Sequence, residues 1–155
     1  MALRIGFLHP DLGLGGAERL VVDAASGLAK LVRGGHHVTM FTSHYNPERC
    51  FEETKDGSFE VVVYGDFLPR HAFGKGHILF STLRNLWLAS RVSSSHPKFD
   101  VLVCDQISAC IPLLRILRPS TRILFYCHFP GQLLAQRGSI LKSLYRIPFD
   151  AFEGV

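Results

Sequence analysis

A short apolar run, Leu3 to His9 (LRIGFLH), stops at Pro10 and gives way to Asp11 and to glycines at 13, 15 and 16. The apolar period then changes. Leu20, Val21, Ala24, Ala25, Leu28 and Val32 recur at helical spacing, with Glu18, Arg19, Asp23, Lys30 and Arg33 between them. Gly34 and Gly35 close that segment, and His37 to Ser43 (HVTMFTS) supplies a second β-branched and aromatic run. Strand, glycine turn, helix and strand in that order make a βαβ unit, whose two strands lie parallel because the helix carries the chain back to the starting edge. A parallel sheet with helices on its faces follows.

The alternation continues along the chain. Phe59 to Tyr64 reads as a third strand, reached through a polar segment, Asn46 to Glu53, with room for a turn of helix. After a loop rich in Gly, His and Pro, residues 77–92 read as a helix with Ile78, Leu79, Leu83, Leu86 and Trp87 on one broad face. Asp100 to Asp105 is a continuously apolar fourth strand of the kind buried on both faces. Ile107 to Leu117 is a short helix with Pro112 tolerated in its first turn, and Arg122 to His128 a fifth strand. Phe129 to Gly131 reads as a turn and Ile140 to Phe152 as the start of another helix. The fold class is therefore α/β, a doubly wound and mainly parallel sheet.

At 155 residues the chain is one domain, or one lobe of something larger. Hydrophobic side chains at 47% and charged ones at 19% exclude disorder, because there is enough apolar surface to offset the entropy of ordering. The net charge of +4 is spread without a run of like sign, which argues against nucleic acid and suits phosphate-bearing ligands or an anionic membrane surface. Cys50, Cys104, Cys110 and Cys127 form no C-x-x-C pair, and reduced, buried thiols in a cytosolic setting are expected. The first ten residues lack the form of a signal peptide, and no apolar stretch reaches the roughly 18 residues that span a bilayer. Glu153-Gly154-Val155 ends the chain without a helix cap, which reads as a fragment.

In doubly wound sheets ligands sit at the carboxyl ends of the strands. Three segments meet that rim: Pro10 to Gly16, Asp105 to Ser108, and Cys127 to Pro130. Glycines lack a Cβ, so the backbone of the first loop can approach a phosphate favoured by the free N–H groups of the following helix; a turn needing positive φ and binding nothing is the alternative. A Walker loop is excluded because Ala17-Glu18 stands where Lys-Ser/Thr is needed, and the dinucleotide fingerprint lacks its third glycine and its acidic residue after strand two. His128 closes an apolar strand at the rim, where an imidazole can hydrogen-bond a substrate hydroxyl or move a proton, and His9 sits similarly; a structural role stands open for both. His36, His37, His71, His77 and His96 read as surface or loop residues. Asp105 and Gln106 can orient a sugar hydroxyl, although capping the next helix is an equal role for Asp105. No Ser-His-Asp set and no metal-ligand spacing is present in the sequence. The residues by themselves point to a binder of something phosphorylated.

Four strings in order, His9 to Leu20 (HPDLGLGGAERL), Cys104 to Pro112 (CDQISACIP), Phe125 to Pro130 (FYCHFP) and Leu144 to Asp150 (LYRIPFD), closely resemble the N-terminal half of the eukaryotic mannosyltransferases of asparagine-linked glycosylation. Those enzymes add α-1,3- and α-1,6-linked mannose to a dolichol-pyrophosphate-linked oligosaccharide. The resemblance implies a GT-B glycosyltransferase, with residues 1–155 as its Rossmann-like acceptor-binding lobe, the donor-binding lobe absent, and no turnover by this chain alone. It implies Gly15 and Gly16 at the donor diphosphate, His128 beside the transferred sugar, and neither cofactor nor metal. The implied partners are GDP-mannose, the dolichol-linked oligosaccharide, a membrane surface and other glycosylation transferases, at the cytoplasmic face of the endoplasmic reticulum membrane. Residues 77–92 suit an interfacial helix, with packing on the sheet as the alternative. Arg137, Lys142 and Arg146 suit the acceptor pyrophosphate, with a solvated helix face as the alternative. A non-catalytic remnant that binds a phosphorylated lipid or a partner transferase is the competing function.

Overall fold

The structure, a computed structural model, describes residues 2–31, 35–69 and 77–128. Its elements run β1 (Arg4–His9), α1 (Gly16–Ala29), β2 (His37–Thr42), a 3-10 turn (Glu52–Thr54), β3 (Glu60–Val63), α2 (His77–Ser95), β4 (Val101–Asp105), α3 (Cys110–Leu117) and β5 (Arg122–Tyr126). All five strands are parallel, in the spatial order β3-β2-β1-β4-β5. The order runs outward from β1 one way and then restarts on its other side with β4. That reversal places a crevice between the carboxyl ends of β1 and β4, where open α/β sheets take their ligands.

Side-chain alternation along the strands splits the interior into two layers. Ile5, Phe7, Val38 and Met40 face α1, packing on Val21, Val22 and Ala25. Leu8, Phe41, Leu102 and Cys104 face the opposite side, against Leu88, Ala89 and Val92 of α2 and Cys110 and Leu114 of α3. Gly6 lies at the centre of this second layer. A Cβ there would stand 2.7 Å from Leu102 Cδ2 and 3.3 Å from the Phe41 ring, so only glycine lets these side chains close over β1.

Two expectations, for the thiols and for the end of α1, need correction. On α2 the apolar positions divide: Leu79, Leu83 and Trp87 are exposed, whereas Arg84 and Asn85 are buried with Leu88, Ala89 and Val92. Arg84 tolerates burial because its Nη2 donates to the Ser43 carbonyl at 3.0 Å, at the end of β2. His96 is a loop residue, as read from the sequence, yet it is not fully exposed. Half-buried beyond α2, it places Nε2 2.9 Å from Tyr64 Oη and its ring edge-on to Phe41. Among the thiols, Cys104 and Cys110 are buried, but Cys50 is half-buried and Cys127 exposed, since it follows the outermost described strand. Finally, α1 ends at Ala29, before the expected glycines, with Lys30 donating its N–H to Ser26 O as the cap. The turn at Phe129 to Gly131 and the helix at Ile140 to Phe152 lie outside the described residues. No helix among the described residues is long and apolar enough to cross a membrane.

Candidate functional site

The reversal of strand order joins three of the residues singled out in the sequence. His9 is the last residue of β1 and Asp105 the last of β4, and both are 1% exposed. His9 Nδ1 lies 2.5 Å from Asp105 Oδ2. His128, two residues beyond β5, brings Nε2 to 2.8 Å from the other carboxylate oxygen, Oδ1. This second approach is close without the alignment of a hydrogen bond, so Asp105 Oδ1 and His128 Nε2 both stay buried and unbonded. The Tyr126 ring meets the His128 ring edge-on, 4.8 Å between centroids.

Asp105 does not cap the following helix. Ala109 is the α3 N-cap and receives no side-chain bond. The backbone instead turns sharply after Asp105: Ile107 N–H donates to Asp105 O at 2.8 Å across Gln106, whose φ is 63°. A γ-turn of this sense strains a residue with a Cβ, and such strain concentrates at functional sites. Gln106 N–H also donates to Tyr126 O at 3.1 Å, which ties the turn to β5 and so to the base of His128. The Gln106 side chain is exposed.

The glycine loop adjoins this cluster. Gly15 is the extended N-cap of α1 and Gly16 its first helical residue. Neither they nor Gly13 adopts positive φ, so backbone conformation is not what glycine supplies here. At Gly13 and Gly16 a Cβ would meet nothing, which leaves bare main chain facing open space. Gly15 has a different reason: the Glu18 carboxylate folds back over it, where a Cβ would collide. Glu18 Oε1 also stands 3.9 Å from His9 Nε2. The sequence marked Glu18 as a polar helix position and as a departure from two phosphate motifs, not as a site residue, although its place three residues after the N-cap is where an acidic side chain turns back to the helix start. Carboxylate, imidazole, carboxylate and imidazole thus run in a line from α1 to β5.

Beside Glu18 the surface is concave. Leu12 N–H donates to His44 O at 3.1 Å, and Leu12 bridges Tyr45, joining the glycine loop to the loop after β2. Between them lies a pocket of about 250 Å³ lined by Asp11, Gly13, Glu18, His44, Asn46 and Arg49 among others. His44 is held by Asp66, Nδ1 to Oδ1 at 2.5 Å. Carboxylates, an amide and a guanidinium around this cavity suit a polyhydroxylated ligand more than an apolar one. Arg137, Lys142 and Arg146 lie outside the described residues.

Residues 14–153 match the sequence profile of Glycosyltransferase Family 4. The chain belongs to Glycosyltransferase Family 4. Among curated relatives it is 53% identical, over 97% of its length, to alpha-1,3/1,6-mannosyltransferase ALG2 of Kluyveromyces lactis. It is 53% identical to the protein of the same name from Schizosaccharomyces pombe and 51% to that from Saccharomyces cerevisiae, over 97% and 96% of the chain. The chain spans about 30% of the length of these relatives. Two solved structures share its fold. TcCGT1 in complex with UDP superposes with a TM-score of 0.60 at 16% identity, covering 95% of this chain and 32% of that one. Phytolacca americana UGT2, complexed with UDP-2fluoro-glucose and pterostilbene, gives 0.54 at 15% identity, covering 100% and 35%. The fold expected from the sequence, a Rossmann-like lobe of GT-B type, is the one observed in this Family 4 chain.

Proposed function

We propose that this chain is the acceptor-binding lobe of a retaining mannosyltransferase, which moves mannose from GDP-mannose to a dolichol-pyrophosphate-linked oligosaccharide in α-1,3 and then α-1,6 linkage. The observation that carries the reading is identity of 51–53% over nearly the whole chain to relatives named alpha-1,3/1,6-mannosyltransferase. The crevice at the strand reversal supplies groups that suit such chemistry. In glycosyl transfer from a sugar nucleotide the diphosphate gains charge as the anomeric bond breaks, and preorganised donors around it lower the barrier. His128, 19% exposed beside buried Asp105, offers its imidazole to the mannose or to the leaving oxygens. The bare main chain at Gly16 admits the diphosphate to the start of α1. His9 and Asp105 line the crevice floor, and the pocket between Asp11 and Arg49 receives acceptor hydroxyls. The second, donor-binding lobe supplies the remaining contacts.

The proposed site of action is the cytoplasmic surface of the endoplasmic reticulum membrane, and the exposed row Leu79, Leu83 and Trp87, extended by Phe67 packed edge-on against Trp87, suits contact with a lipid surface. The test is a chimera in which this chain replaces the matching third of the Saccharomyces cerevisiae relative. Mannose transfer from GDP-mannose to the lipid-linked acceptor is expected, with roughly 100-fold loss in His128→Ala. A chimera that folds, binds phosphorylated lipid and transfers nothing supports the competing reading of a non-catalytic binding lobe.

A further inference from the structure

Asp105 is a buried carboxylate with two imidazoles on it, one per oxygen. We infer that it is a positioning residue that sets the tautomer of His9 and the orientation of His128 together, so that the two rings act as one unit. A carboxylate oxygen and an imidazole nitrogen 2.5 Å apart need a proton between them, and the imidazole is the more basic partner. His9 therefore carries its proton on Nδ1, and its Nε2 faces the Glu18 side of the crevice, 3.9 Å from Oε1 and beyond hydrogen-bond range.

The second oxygen differs. A carboxylate kept only to hold the fold would be satisfied at both oxygens, because leaving either one buried and unbonded is costly. Asp105 Oδ1 is buried and unbonded, and so is His128 Nε2 at 2.8 Å from it. At 2.8 Å the pair lacks only the alignment of a hydrogen bond. The Tyr126 ring packs edge-on against the same imidazole. The strained turn at Gln106 fixes the backbone from which the carboxylate projects, and its bond to Tyr126 O carries the same constraint across to β5. Oδ2 thus holds His9 permanently, while Oδ1 engages His128 when the ring is pulled into line by a bound sugar. Neither ring needs to touch the other.

The tautomer part of the inference is independent of the proposed activity and the coupling part rests on it, so the experiment has two arms. In the first, the chain is labelled with 15N at histidine and observed by long-range 15N–1H correlation. His9 is expected as a single Nδ1–H tautomer with a downfield, exchange-protected proton, and Asp105→Asn is expected to move that proton upfield and populate both tautomers. Replacement of His128 by Ala should leave the His9 proton in place. An Nε2–H tautomer for His9 in the unaltered chain, a measurement that needs no variant to fold, overturns the inference. So does an unchanged His9 signal in Asp105→Asn. In the second arm, the chimera carrying Asp105→Asn is expected to lose roughly 10–100-fold in kcat with KM little changed. Combining it with His128→Ala should cost no more than about twofold beyond the worse single variant. Losses that multiply overturn the coupling while leaving the transferase reading intact.

Discussion

Gly6 and Gly16 show how one residue type serves two ends. At Gly6 a methyl group would press into Leu102 and Phe41 in a fully packed layer, and overpacking of that kind costs about 1–3 kcal/mol. At Gly16 the same methyl group meets nothing, and alanine is the better helix former by up to about 1 kcal/mol. Urea unfolding is therefore expected to show Gly6→Ala destabilised and Gly16→Ala unchanged or stabilised. If the main chain at Gly16 admits a diphosphate, Gly16→Ala also weakens donor use by the chimera while stability holds. A Gly16→Ala protein that turns over normally would remove this glycine from the anion's path.

Among the elements, α2 carries the least expected division of labour. Its polar pair Arg84 and Asn85 is turned inward and its apolar row Leu79, Leu83 and Trp87 outward. Periodicity ranks positions by hydrophobicity, and it left the row open between a lipid interface and the sheet because nothing local signals that a guanidinium will reach the Ser43 carbonyl. Burial decides the energetic contrast. Leu88→Ala, in a site with no exposure, should cost about 2–5 kcal/mol, whereas Leu83→Ser should stay within about 0.5 kcal/mol of the parent. The same Leu83→Ser change, made with Trp87→Ser, is expected to reduce co-sedimentation with anionic lipid vesicles several-fold. Undiminished sedimentation would leave the row without a role at a lipid surface.

For the molecule as a whole, the acid limb of the stability profile has a definite order. Burial, the largest influence, lowers the His96 pKa below its ordinary value of 6.5, so the unfolded chain takes up the proton first. Stability is then fully present above about pH 6.5 and declines as the pH falls below it. Glu53 and Asp56 follow at lower pH. Their pKa values are held below ordinary carboxylate values, in Glu53 by its own backbone N–H and then Arg19, and in Asp56 by the Ser58 hydroxyl and N–H. His96→Gln should flatten only the upper part of the decline in urea midpoint measured from pH 7.5 to 4, and a profile identical to the parent's would exclude His96 as its source.

Much of this organisation was legible from residue order. Two strand periods around a glycine loop predicted the parallel unit, and the carboxyl-end rule brought His9, Asp105 and His128 to one rim before any distance was known. What escaped was set by directions that sequence spacing does not encode. Glu18 turns back along α1 instead of outward, Asp105 looks across the crevice and not down α3, and His96 is drawn into the rings of Phe41 and Tyr64 by contacts made across the second layer.

The carboxylate and the imidazole it grips are 96 positions apart in the chain. Closing so large a loop costs entropy that is recovered only when β1 and β4 have zipped together, so this pairing belongs among the non-local events that slow folding. No partly assembled species and no proteolytic piece lacking either strand can contain the pair. The His9 resonance is consequently a reporter of complete assembly, and a ligand seated there would hold both halves of the sheet shut, raising the melting temperature with the logarithm of the free ligand concentration once that exceeds the dissociation constant.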